Sequence, residues 1–67
     1  METQLEQDRK YTIYSLERAR DSLSWWMDRL EHARTPRHAD QARAQCRLTE
    51  RHIDNLEGRL LVLDLNR

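Results

Sequence analysis

Apolar and small residues recur along the first half of this chain at alternating steps of four and three. Leu5, Arg9, Thr12, Leu16, Ala19, Leu23, Trp26, Leu30 and Ala33 make the series, and that spacing keeps one stripe on one face of an α-helix. Ala39, Ala42, Cys46, Thr49, Ile53, Leu56, Leu60 and Leu63 repeat the alternation in the second half. Folding the chain back between the two stripes sets Leu30 against Ala39, Trp26 against Ala42, Leu23 against Cys46 and Ala19 against Thr49. Leu16 then meets Ile53 and Thr12 meets Leu56. The numbers of each pair add to 68 or 69, so one antiparallel register aligns the whole seam. Large side chains tend to face small ones, as close packing without voids requires. The expected fold is all-α, a two-helix antiparallel hairpin forming a single domain over residues 1–67.

Local signals place the ends of the elements. Thr3 is suited to cap the first helix, with Glu6 three residues on, and residues 1–4 ahead of it are expected to be loose. No Gly or Pro interrupts the chain from there to Arg34, so helix 1 is expected over about residues 4–34. Thr35-Pro36 is the clearest punctuation, with Pro36 disfavouring helix at Thr35 and fitting the first helical position itself. The turn is therefore expected over 34–37 and helix 2 over about 36–64. Gly58 could end helix 2 early and leave Leu61, Leu63 and Leu65 extended. Leu60 and Leu63 keep the seam spacing beyond it, which favours a continuous helix. A single contact line leaves Ile13, Met27 and the run Leu60-Leu61-Val62-Leu63 in need of cover. The usual answer is a second copy, two hairpins dimerising into a four-helix bundle. Arg9, Thr12 and Thr49 are polar seam positions of the kind that set register and oligomeric state; Arg9 can pair with Asp64.

Composition mainly excludes. Charged residues make up 36% of the chain and balance to zero net charge, so no overall field draws the protein to nucleic acid or an anionic membrane. The longest apolar run is far too short for a membrane span, and the polar start carries no leader signal. The lone Cys46 cannot form an internal disulfide and sits on the seam as a small apolar side chain. A reducing, cytoplasmic location is expected. No glycine-rich phosphate loop, nucleophile motif or enclosed carboxylate pair appears, so neither enzymatic activity nor a cofactor is expected. Asp28 and His32 stand four apart, a spacing that can hold a metal, but two ligands make no site.

Two surfaces could carry binding. Residues 34–51 hold five basic residues against two acidic ones, while residues 1–33 hold five against seven and residues 52–67 two against three. Within the basic centre Arg43, Arg47 and Arg51 are four apart and could track a phosphate backbone. On the first helix Tyr11, Tyr14, Arg18 and Trp25 span roughly 60° of the circumference, well away from the seam. Tyr, Trp and Arg dominate binding hot spots, so these four, with Asp21 on their edge, form the expected partner-binding face. Trp26 belongs to the core and Trp25 to this outer row. Cover by a second protomer is the competing explanation for the aromatics.

In size and architecture, through its two matched seams and the outward Tyr11/Tyr14/Trp25 row, the chain resembles the small helical proteins that phages make to block host machinery. Among these the helical-hairpin dimers that act as quorum-sensing anti-activators look closest, and anti-CRISPR proteins come next. Eleven Arg against one Lys fits a GC-rich phage or bacterial genome. The resemblance implies stoichiometric inhibition: a dimer that docks on a host regulator, such as a quorum-sensing transcriptional activator, and prevents its DNA binding or assembly. It assigns no residue. The alternative is a hairpin dimer similar to the Rop type, binding RNA through Arg43, Arg47 and Arg51.

Overall fold

In a computed structural model, which describes residues 2–66, the chain forms two α-helices and, among those residues, no strand. Helix α1 covers Gln4–Glu31 and helix α2 covers Pro36–Leu65. Both starts are capped as their sequences suggest. The hydroxyl oxygen of Thr3 accepts from the Glu6 amide at 3.2 Å, and that of Thr35 accepts from the His38 amide at 3.2 Å. Each satisfies an amide that the first turn leaves without a helical partner. Pro36 opens α2, where its missing N–H costs nothing.

The ends differ in detail from the expected boundaries, while the continuous helix expected through Gly58 is present. Helix α1 ends at Glu31, not at 33–34, because the backbone tightens there: the Ala33 amide reaches back to the Leu30 carbonyl at 3.3 Å. The turn is accordingly His32–Thr35. Helix α2 runs straight through Gly58, which is exposed, and extends to Leu65. At the N-terminus Gln4 is already helical and its amide donates to Asp8 at 2.9 Å, while Glu2 pairs with Lys10. Met1, also expected to be loose, lies outside the described residues.

Every position of both stripes is buried or half-buried. Leu16, Ala19 and Ile53 form the centre of the core, with Leu23, Leu56 and Leu60 packed against them. Ala42 and Cys46 are buried nearer the turn. Thr12 has no exposed surface, and its hydroxyl donates to the Asp8 carbonyl at 2.7 Å. Thr49 treats Gln45 in the same way at 2.8 Å, so neither seam threonine leaves a buried polar group unsatisfied. Arg9 reaches across to Asp64 at 2.7 Å, with its stem along the seam. Arg20 meets Glu57 at 3.2 Å. The first pair is partly exposed and the second more than half exposed, and each is worth at most about 1 kcal/mol.

The hairpin is a rod of 51 × 18 × 12 Å. Its radius of gyration is 15.4 Å, where a compact chain of this length would have about 11 Å. A rod with one contact line has two open long sides. One is a groove between Ile13, Glu17 and Arg20 of α1 and Glu57, Leu61 and Asp64 of α2, continuing along α1 past Ser24 and Met27. The other opens near the turn between Trp26 and Arg29 of α1 and His38, Gln41 and Ala42 of α2. They are called here the Met27 side and the Trp25 side.

Candidate protein-binding face

The expected row lies on α1, where the seam positions Leu16, Ala19 and Leu23 fix the helix's rotation. With those facing α2, Tyr11, Tyr14 and Trp25 are turned outward, 65%, 55% and 53% exposed. Arg18 stacks over the Tyr14 ring at 5.9 Å and its guanidinium donates to the Tyr14 hydroxyl at 3.5 Å. Arg18, Asp21 and Trp25 share a shallow dip with Ser22. Four of the five residues are thus linked by contact or by a common hollow. Tyr11 extends the row by one turn.

Trp25 is braced on both sides. Its ring meets Trp26 edge-on, with centroids 4.7 Å apart and planes at 81°, and the Arg29 guanidinium lies 4.8 Å from its centroid. The division of the pair into an outer Trp25 and an inner Trp26 therefore holds by exposure. The two rings nevertheless form one unit, since the half-buried Trp26 supports its neighbour. Geometries of this kind add about 0.5–1 kcal/mol each and hold a large side chain in one place before binding.

Three residues that periodicity on α1 alone does not reveal lie on the same side of the hairpin. Arg29 is one, found only through its stacking on Trp25. Leu48 and Val62 are the others, both more than half exposed. They follow α2 at the helical steps that lead from His38 and Gln41, which border the Trp25 side. Their spacing of fourteen residues, close to four turns, is a signal visible in the sequence. Assigning it to a face needs the hairpin register.

Charge divides between the sides in a way that segment counts along the chain conceal. Steps of three and four from the groove residues place eight carboxylates and four basic residues on the Met27 side. The Trp25 side holds Arg18, Arg29, Arg34 and Arg59 against Asp8, Asp21 and Asp28, together with all three histidines. Arg43 and Arg47 fall on the acidic Met27 side; Arg43 is held by Asp40 at 3.1 Å. Arg51 stands on the back of α2, exposed. The three arginines run along one edge of α2, and neighbouring carboxylates weaken the field that a phosphate would meet.

At the end of α1, Glu31 joins Asp28 and His32, so three ligating groups, not two, come within 4.8 Å of one another, all exposed. His32 donates from Nδ1 to the Asp28 carbonyl at 2.9 Å and stands 3.3 Å from its carboxylate. That hydrogen bond, and then the carboxylate charge, raise the His32 pKa above its ordinary 6.5. Cys46 is a free thiol buried in the seam. Among the described residues no helix is long and apolar enough to cross a membrane.

No protein family, curated protein or solved structure was found to match this chain.

Proposed function

We propose that this protein is a non-enzymatic binding module whose Trp25 side docks on another protein. The observation that carries the reading is the outward row Tyr11, Tyr14, Arg18 and Trp25, with Asp21 at its edge and Arg29 stacked on Trp25. Exposed aromatics braced by arginine are costly to leave in water and are the residues on which interfaces concentrate their energy. Leu48 and Val62 widen the apolar area across both helices, and the surrounding arginines favour a partner surface that is apolar with an acidic margin. In its setting, this is a small cytoplasmic phage-encoded inhibitor that occupies a host regulator, such as a quorum-sensing transcriptional activator, one protein per site. The working form is a dimer, a four-helix bundle of two hairpins. A rod that exposes 5612 Å², where a compact protein of its mass would expose about 4,500 Å², has surface enough to give up to a second copy.

A nuclease-treated pull-down from source-cell lysate, followed by titration of the recovered protein in purified form, tests the reading. The Tyr14→Ala/Trp25→Ala variant should keep its helical circular dichroism and lose more than about a hundredfold in affinity, as removal of two anchors implies. Binding by wild type should change little with salt. Affinity that falls steeply with salt, survives Trp25→Ala and is lost with Arg47→Ala/Arg51→Ala would favour the RNA-binding alternative. Dissociation of the dimer by Trp25→Ala would mean that a second protomer covers the aromatics.

A further inference from the structure

The Met27 side carries a charge pattern that specifies its own occupant. Along α1 it reads Ile13, Glu17, Arg20, Ser24 and Met27; along α2 it reads Arg43, Arg47, Glu50, Asp54, Glu57 and Leu61. Over the inner positions of each row the sign of charge reverses about a midpoint; Glu6 and Glu31 on α1, and Asp40 with Glu57 on α2, do not follow it. On α1 the reversal falls between Glu17 and Arg20, at 18–19. On α2 it falls between Arg47 and Glu50, at 48–49. On the register that the two stripes imply, in which opposed residues add to 68 or 69, the two midpoints stand at nearly the same height on the rod. A surface whose charges invert about one level is complementary to itself under a two-fold axis through that level.

We propose that a second copy of this chain docks on the Met27 side, running head to tail, with the two-fold axis crossing the rod at 18–19 and 48–49. The proposal rests on the dimer reading above and adds its face and its direction. Helix α1 then lies against α1 of the partner and α2 against α2. Glu17 meets Arg20, Arg47 meets Glu50 and Arg43 meets Asp54, each pair occurring twice. Among the described residues Glu17, Arg47, Glu50 and Asp54 enter no ion pair within the hairpin, so the contact gives them partners. Two like-charged pairs are brought level: Asp40 and Glu57, already held by Arg43 and Arg20, and Glu6 and Glu31 toward the two ends of α1. Ile13 comes over Ser24 and Leu61 over Pro36, which covers these two, and Met27 lies along the stem of Lys10.

The other arrangements fit less well. Two hairpins packed through the same side with both turns at one end would set Glu17 level with Glu50 and Asp54. The same two-fold on the Trp25 side would put Arg18 on Arg18 and Arg59 on His38, basic against basic, with Asp8 on Arg29 as the one opposite-charge pair among them. The surface available also suffices. The rod exposes about 1,100 Å² more than a compact protein of its mass, and a standard interface takes about 800 Å² from each partner.

Light scattering across a concentration series, spin-label distances and a charge swap test the proposal together. Wild type should show twice the chain mass. With Leu65→Cys labelled in a Cys46→Ala background, the head-to-tail dimer places the two labels about 50 Å apart, two half-rods of helix; turns at one end would bring them within about 25 Å. Arg47→Glu and Glu50→Arg should each weaken the dimer roughly tenfold or more, through repulsion at two symmetric places. The combined swap should restore it to within about threefold of wild type, since each new glutamate again meets an arginine. A dimer with the short distance overturns the direction and leaves the dimer standing. A dimer untouched by both reversals but split by Leu48→Glu overturns the face. A monomer at every concentration overturns the proposal and the dimer reading with it.

Discussion

Trp25 and Trp26 show how little separates core from surface at the scale of one residue. They are adjacent, so their side chains leave the helix about 100° apart, and that angle is enough to half-bury one and expose the other. Periodicity makes this split legible. It does not reveal that the rings touch or that Arg29 closes over the outer one, since those contacts depend on rotamers. His32 is a second residue whose behaviour only the structure supplies. Its Nδ1 hydrogen bond to the Asp28 carbonyl and the nearby carboxylate favour the protonated ring. A raised pKa means that folding gains from this proton fully below the ordinary 6.5 and loses the gain as pH rises through the raised value. By NMR the His32 titration midpoint should lie above 6.5, and Asp28→Asn should lower it in part, because the backbone hydrogen bond remains. A wild-type midpoint at or below the ordinary value would contradict this account.

At the scale of the element, the helices owe their ends to a few side chains and their persistence to the seam. Thr3 and Thr35 act as caps where a reading of local signals puts them, because an N-cap needs only a short acceptor and the right neighbours. The end of α1 was less legible. Nothing in Glu31-His32-Ala33 forbids helix, and the chain leaves it there because the turn must reverse direction before Thr35. Gly58 illustrates the opposite balance. Glycine weakens a helix interior by up to about 1 kcal/mol, yet Leu60 and Leu63 gain more by continuing the seam. A Cβ built at Gly58 meets nothing within 4 Å, and the residue is helical and exposed. Gly58→Ala should therefore stabilise the protein by about 0.5–1 kcal/mol in urea unfolding. No gain, or a loss, would mean that this stretch is covered or non-helical in solution.

For the whole molecule the governing fact is shape. Two helices meeting along one line bury a thin core, and a chain of this size has little to spare. Stability that depends on a second copy is linked to concentration. The thermal midpoint should rise by several degrees over roughly a hundredfold increase in protein concentration, measured by calorimetry. A midpoint independent of concentration would show the single hairpin to be sufficient. In the proposed assembly the two long sides divide the work at this scale: one side for a second copy, and an aromatic, arginine-lined side for another protein.

The sequence by itself determined the hairpin, because a helix of fixed period turns spacing directly into a face, and two such faces of matched length admit one antiparallel register. It determined the caps, the seam and the outward row on α1 for the same reason. Only the tertiary structure decided which residues of α2 share a side with that row. Leu48 and Val62 join Trp25, and Arg43 and Arg47 fall among carboxylates, because sidedness exists only once two helices are packed. The net charge of zero hid a division between the sides for the same physical cause: charge summed along a chain is blind to the fold that sorts it.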